Sequence, residues 1–529
     1  MNLTYNVPLN KIPALNWTTA VVRYGTTFNW TTESTNTLRN PEIMLGNSIQ
    51  NSRTIQINPS LNFVRLYNKF DAFRRTAREV PSFSTFMKDM ISGLKSMTGA
   101  YTLTQGTFLP GYTPGTNVLG YDLDEDAPGW AFLFGSQQDI RTKAVSQGWI
   151  SKDTLLNQLY VTNKKEDISI RATIEPIKDL RIELTATKSS NFNYSTNFKF
   201  NSAIGDFESQ SPITSGDFSI SSALIRTAFS SIDNSDLFEK FQRNRSIVSA
   251  RLGAANPNSQ GISEGYSNGY GKNAQDVVVA SFIAAYTGKS AESVSLNTFP
   301  KIPIPNWRVS YNGLTKYDMF SNFASFNLNH SYRSTYNVNG FSSLIRYQEE
   351  NGFVSIKDGQ GNYLPVYQFS QVMLFEQFVP LIGVDFRLKN NMSANFEYRK
   401  TRGLSLSLTN SQLAQQQDDG IVFGMGYRSA DFRLPFGFLR GRKTKNDVNL
   451  KLDVAVNDRK TVIYRADVQG AEVYSGARNV ALRPSMDYLL NQRLNIRLFY
   501  DASLSRPYTS QTFNTSFSNF GINLRFTVQ

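Results

Sequence analysis

In DVNLKLDVAV, residues 447–456, apolar side chains take every second position: Val448, Leu450, Leu452, Val454 and Val456 alternate with Asn449, Lys451, Asp453 and Ala455. A β-strand sends successive side chains to opposite faces, so this spacing predicts a strand with one apolar and one polar face. The closing FGINLRFTVQ repeats it, with Phe520, Ile522, Leu524, Phe526 and Val528 opposed to Gly521, Asn523, Arg525 and Thr527. Alternating segments also lie at about 18–30, 168–174, 180–186, 192–200, 307–311, 382–388, 392–408, 462–468 and 494–500. The chain reads as all-β and mainly antiparallel.

Four stretches break the pattern. Residues 69–97, 131–160, 222–252 and 273–288 carry apolar residues at helical spacing and are expected to be helical insertions in long connections. Tight reversals are expected at VNDRKTV (around 457–461), LNQRLN (490–495) and LKNNMS (388–393), because Asn and Asp tolerate left-handed backbone. With all three counted, the first two fall on one edge and LKNNMS on the other, against a pattern of short turns on one edge and long loops on the opposite one.

The charges decide which face is wet. The polar faces carry Arg171, Arg181, Lys199, Arg387, Arg399, Lys451, Arg465, Arg493, Arg497 and Arg525 against Glu183, Asp385, Glu397, Asp453 and Asp467. An Arg or Lys facing lipid at the midplane costs about 2–4 kcal/mol, so these side chains face water. On the opposite face apolar residues recur strand after strand, over more sequence than one sandwich core needs, which predicts an antiparallel transmembrane β-barrel. Its lumen-facing candidates are that basic set and Asp453. Leu450, Leu452, Leu524 and Phe526 are its lipid-facing candidates. No apolar run of about 18 residues could cross a bilayer as a helix, and strands of about 10 need none.

Composition narrows the chemistry. The 529 residues include no Cys and one His, His330, which leaves no disulfide framework, thiol nucleophile or HExxH helix. The net charge of +13 comes from Lys and Arg scattered singly, unlike the concentrated basic patch of a nucleic-acid binder. The acidic run Asp122, Asp124, Glu125 and Asp126 lacks calcium-loop spacing and reads as a solvated loop. FGMGYR (423–428) has close glycines without the strand-to-helix context of a nucleotide loop. No catalytic residue, cofactor or metal site is expected, and no enzymatic activity.

KIPALNW at 11–17 returns as KIPIPNW at 301–307. Pro13 and Pro303 withhold an N–H and mark the approach to a strand. Trp17 and Trp307 then enter where an indole favours the boundary of headgroup and hydrocarbon, so they are the membrane-rim candidates. The recurrence divides the chain into 1–298, with long insertions at about 69–160 and 222–288, and 299–529, with short turns and the closing strand.

Several phrases carry a family resemblance: LGNSIQNSRTIQINPSLNFVRLYNK (45–69), APGWAFLFGSQ (127–137), ATIEPIKDLRIELTAT (172–187), AQDVVVASFIAAYTG (274–288), EQFVPLIGVDFRLKNNMSANFEYRKTRGLSLSLTNSQL (376–413) and NFGINLRFTVQ. Together they resemble the SprA/Sov family, the outer-membrane translocon of the type IX secretion system, which also underlies gliding motility in Bacteroidota. The resemblance implies that the chain is the C-terminal part of a much longer protein, an arc of a very large barrel through which folded cargo leaves the periplasm. It also implies partners: cargo bearing a C-terminal secretion domain, a cargo-shuttle barrel protein, a periplasmic plug and outer-membrane lipid, with no nucleic acid. A porin-like or TonB-type uptake barrel and a soluble all-β adhesin are the rival readings.

Overall fold

The computed structural model describes residues 1–34, 43–70, 92–232, 235–409, 412–430, 447–465, 471–491, 494–510 and 512–526. Sixteen strands form one antiparallel sheet. They are β1 (Asn2–Val7), β2 (Thr18–Thr31), β3 (Asn47–Asn62), β4 (Leu94–Tyr112), β5 (Tyr160–Ile174), β6 (Leu180–Asn201), β7 (Asp206–Ser221), β8 (Asn306–Tyr311), β9 (Phe323–Ser343), β10 (Tyr367–Leu388), β11 (Met392–Ser407), β12 (Gln412–Ser429), β13 (Val448–Arg465), β14 (Ala471–Asn491), β15 (Leu494–Pro507) and β16 (Thr515–Phe526). Sequence neighbours pair throughout, except that β6 and β9 are bridged by two strands in one column. There β7 pairs with their upper halves and β8 with their lower halves. Among the described residues β1 pairs only with β2 and β16 only with β15, so the sheet is open, with two free edges.

β7 and β8 run in the same direction, as one strand interrupted by residues 222–305. The chain leaves the sheet after Ser221 and returns at Asn306. The gap is sealed by Ile304 N–H donating to Ser221 O, Ser222 N–H to Ser334 O and Ser334 N–H to Asn306 Oδ1. The second KIPxxNW phrase is this point of return. One sheet thus runs unbroken across residue 298.

Among the described residues five α-helices decorate the sheet: α1 (Phe63–Tyr67), α2 (Trp130–Leu133), α3 (Arg141–Ser146), α4 (Asp236–Ala255) and α5 (Gln275–Thr287). The expected helices at 222–252 and 273–288 correspond to α4 and α5. In α5, VVVASFIAA is apolar on every side, and ten of its residues are buried between α4 and the sheet, as an all-round apolar helix must be. Gly288 ends it with a φ of +69°, a left-handed conformation glycine adopts freely. The stretch 131–160 holds only the short α2 and α3 and ends in β5. Of 69–97, residues 71–91 lie outside the described set, and 94–97 are strand rather than helix. Leu94 pairs with Ile174 and Met97 with Ala172, a spacing of three that here spans an irregularity in register.

The expected turn at 457–461 is also corrected. Asn457 to Thr461 lie mid-strand in β13, paired with β12 and β14 on both sides. The run of polar residues looked like a reversal because both faces of the strand are polar there. With that turn removed the edge conflict disappears. The 388–392 hairpin, where Asn391 takes a φ of +66°, and the Asn491–Leu494 hairpin share one edge, here called lower. The connection from β12 to β13 is on that edge too, its residues 431–446 outside the described set, so long connections are not confined to one side.

Candidate functional site: an apolar band and a charged face

Register places the alternating residues of every strand on common faces. Leu450 lies level with Tyr427 and Met392 on one side and with Met486, Leu498 and Ile522 on the other. Two residues up, Leu452 is level with Met425, Ala394 and Phe386. The same face continues through Val384, Leu328, Val309, Ile182, Ile174, Met97, Leu61 and Ala20. Many of these side chains are open to the surroundings: Leu450 is 38 %, Ile421 44 %, Ile382 54 % and Leu524 68 % exposed. Phe526 is exposed on the same face.

The size of this band decides its meaning. In β13 it runs from Val448 to Val456. At about 3.3 Å per residue and a tilt of about 40°, these eight steps give a height of about 20 Å between the outermost Cα atoms, comparable to the ~25 Å lipid-facing band of membrane barrels. Fifteen strands side by side at about 4.8 Å make it roughly 70 Å wide, far beyond the few hundred Å² of the largest apolar patch on an ordinary soluble protein.

The opposite face is charged. Lys451 lies level with Gly426, Ser393 and Arg387, and Asp453 with Gly424, Asn395 and Asp385. Arg171, Arg181, Arg399, Arg497 and Arg525 share this face, where Arg181 pairs with Glu183 at 2.8 Å and Arg399 pairs with Glu397. Lys199 and Arg465 are on it as well, near the upper ends of β6 and β13 and above the band. Arg493 lies outside the described residues, as does Asp467. At Gly424 an added Cβ would meet Asn395 Oδ1 at 2.1 Å, so the glycine makes room for a polar neighbour.

Immediately above the band, the apolar face turns polar along one level of the sheet. Lys400, Asp419, Asp458 and Arg478 stand side by side. Lys400 pairs with Asp419 at 3.0 Å and Arg478 with Asp458 at 2.7 Å. One step higher, Arg402 pairs with Glu376 at 3.0 Å, both side chains essentially inaccessible. Arg402 also donates to Thr227 O and Oγ1, and Tyr332 OH donates to Glu376 Oε1 while accepting from Leu224 N–H. This cluster ties the 222–305 insertion to the sheet. Reading strands singly misses the belt. Its signal is that KTR (400–402), QDD (417–419) and DRK (458–460) interrupt three alternating runs at matching heights.

Above the belt the same face is apolar again but covered. Tyr336, Val338, Leu374, Leu404, Leu406, Leu413, Val462 and Tyr464 pack against Phe238, Phe241, Phe282 and Tyr286 of α4 and α5. Phe238 stacks on Tyr464 at 4.8 Å. On the far side Ile49, Leu109, Tyr160 and Phe198 pack against Phe132, Ile140 and Trp149 of the 113–159 insertion, which Asn51 holds through Phe132 O and Ser136 O. In the 222–305 insertion, burial pushes the Asp276 carboxyl up to about 6 and pulls the Arg245 guanidinium below the ordinary arginine range.

The two tryptophans sit at opposite margins of the band. Trp17 precedes β2 at the lower edge, its indole donating to Ala14 O and its ring 5.3 Å from Phe63. Trp307 lies at the upper margin, stacked on Tyr332 at 4.3 Å. β2 runs upward and β8 downward, so the shared phrase feeds strands of opposite direction. His330 is structural, its Nδ1 2.7 Å from Leu381 O. Asp122 accepts from the N–H groups of Gly115, Asp124 and Glu125, which makes the acidic run a self-capped turn. Among the described residues no group of three His, Asp or Glu is placed to hold a metal ion, and no helix is long and apolar enough to cross a membrane.

No family model matches the chain and no curated protein matches it. Among solved structures it is similar to the β domain of the Bordetella autotransporter BrkA, at 9 % identity over 70 % of this chain and 92 % of that one, with a TM-score of 0.20. It is similar to the copper transporter OprC, at 7 % identity over 92 % and 58 %, with a TM-score of 0.26. The RagAB peptide transporter matches at 8 % identity over 93 % and 49 %, with a TM-score of 0.27. The chain spans about half the length of the last two. Overlaps of this size lend no weight to a reading of fold or function.

Proposed function

We propose that this chain forms part of the wall of an outer-membrane protein-conducting channel, the type IX secretion translocon of a Gram-negative bacterium of the Bacteroidota, exporting folded cargo and serving gliding motility. The observation that carries the membrane reading is the unbroken apolar band, one bilayer high and fifteen strands wide, backed by a face bearing Arg171, Arg181, Arg387, Arg399, Lys451, Asp453, Arg497 and Arg525. That face lines water, and the band meets lipid. The two free edges support a wall larger than this sheet, because unpaired backbone N–H and C=O groups facing hydrocarbon cost several kcal/mol each. Further strands pair with β1 and β16 to close it.

The secretory assignment rests on the phrases shared with the SprA/Sov family, and with it come the partners: cargo with a C-terminal secretion domain, a cargo-shuttle barrel protein and a periplasmic plug. The channel conducts passively and performs no chemistry. The test is depletion of the full-length protein in its native cell. Loss of cargo bearing C-terminal secretion domains from the medium, with small-solute uptake intact, is the expected result. Normal secretion with a defect in uptake of one solute class overturns it in favour of a TonB-type or porin-like barrel.

A further inference from the structure

Between α4, α5, the upper ends of β10 to β12 and the 344–366 connection lies a cavity of about 520 Å³, inside the range of roughly 300–1,000 Å³ common to small-molecule sites. Phe238, Phe241 and Val278 on the helix side and Phe369, Leu406 and Leu413 on the sheet side form an apolar wall, and Asn273, Gln275, Gln368 and Thr409 add polar groups to the lining. Among the described residues one cation stands in this lining, Arg245, only 7 % exposed. Its guanidinium lies 5.3 Å from the Phe241 ring centre and Nη1 donates to Lys272 O at 3.3 Å. Among the described residues Nε finds no acceptor, and no carboxylate comes within ion-pair distance. Among the described residues the lining holds one carboxylate, Asp358, whose Oδ1 accepts from the N–H groups of Gln360 and Asn362.

A buried guanidinium without a counter-ion is expensive to keep in a protein interior, and beside an apolar wall it attracts an anion whose remainder is also apolar. We infer that this cavity binds an anionic amphiphile, its carboxylate or phosphate head on Arg245 and a short hydrocarbon tail between Phe238, Phe241, Phe369 and Leu413. A planar guanidinium suits either head group through paired N–H donors. The cavity stands on the same face as the apolar band, at the upper ends of the strands, where Leu406 lies six residues beyond Lys400 of the polar belt. The inference does not depend on the secretory assignment, and a porin-like barrel with the same insertion would bind the same ligand.

The test uses the delipidated full-length protein in a neutral detergent, with binding read by native mass spectrometry and thermal shift. Dodecanoate and dodecyl phosphate are the probes, with dodecanol, acetate and inorganic phosphate as controls. The expected result is saturable binding of the two anionic amphiphiles, at least tenfold tighter than dodecanol, with no competition from acetate or inorganic phosphate. Arg245→Met, which removes the charge and keeps the volume, reduces that preference to less than twofold while the protein melts no lower than the parent. Leu413→Trp, which fills the chamber, abolishes binding of all three dodecyl compounds. Equal binding of dodecanol and dodecanoate in the parent overturns the inference, as does a preference that survives Arg245→Met. Competition by inorganic phosphate as effective as by dodecyl phosphate removes the role of the apolar walls and overturns it too. A native acyl ligand retained before delipidation would assign the source to the membrane; displacement of the probes by a soluble aromatic carboxylate would assign it to solution, and both sources share the chemistry inferred.

Discussion

Arg402→Met breaks the tie between the 222–305 insertion and the sheet. The Arg402 and Glu376 side chains are 1 % and 2 % exposed, so the variant leaves the Glu376 carboxylate buried with only Tyr332 to hold it. It also removes the donor to Thr227 Oγ1 and one of two donors to Thr227 O, which keeps Ser230 N–H. Removing one partner of a buried pair costs about 3–5 kcal/mol, mostly from the charge left behind, whereas replacing both partners by apolar groups is often neutral. The cost falls on docking of the insertion, because Thr227 belongs to it while β10 and β11 keep their backbone pairing. Hydrogen exchange of the α5 amides from Val277 to Thr287 in the full-length protein reads it directly. A loss of about 3 kcal/mol speeds exchange through local opening roughly hundredfold. Arg402→Met with Glu376→Leu restores most of the protection. Unchanged exchange in the single variant, or a double variant as exposed as the single, refutes the claim that this pair holds the insertion down.

Leu450→Arg places a cation in the apolar band and costs about 2–4 kcal/mol of membrane assembly, while Lys451→Leu on the other face is mild; equal yields of heat-modifiable protein from both would show the faces to be misassigned. Arg478→Ala removes an ion pair whose arginine is 58 % exposed and leaves the urea-unfolding midpoint in neutral detergent unchanged; a clear drop would show that this exposed pair holds the sheet. Asp276 holds its proton more tightly when folded, near 6 against an ordinary 3.8, so its contribution is present below about pH 4 and lost as pH rises through 6. That loss is at most about 3 kcal/mol, less up to ~1 kcal/mol returned by the α5 N-terminus, whose first turn Asp276 occupies. Asp276→Asn is therefore expected to slow α5 hydrogen exchange relative to the parent at pH 8 and to leave it unchanged at pH 4; slower exchange at both would place the effect elsewhere.

Much of the sheet was legible because strand periodicity is local. Leu450, Leu452 and Leu524 declare a face within ten residues of sequence, and register then lines those faces up. Periodicity failed where the partner of a face changes along one strand. In β13 the same side of the chain meets the apolar band at Val448–Val456, the belt at Asp458 and Lys460, and a helix at Val462 and Tyr464. The middle piece imitates a turn when read without its neighbours. The interrupted strand of β7 and β8 was illegible for a related reason: its halves are separated by residues 222–305, and only the pairing of β6 and β9 joins them. Arg402 and Arg245 gave no local signal, since their burial is made by residues more than a hundred positions away or on a second helix.

The central claim is that one face of this sheet meets lipid and the other water. The chain contains no cysteine, so single-cysteine variants at 449 to 460 introduce one label site within it, with the parent full-length protein as the background control. The measurement is their reaction with a membrane-impermeant maleimide in native outer membranes, paired with quenching of a fluorophore at each site by brominated lipid. The account predicts that 449, 451, 453 and 455 label readily and are not quenched. Positions 450, 452, 454 and 456 resist labelling and are quenched, and at 458 and 460 the lipid signal is lost. Labelling without a period of two, or quenching that continues unchanged through 458 and 460, would contradict it.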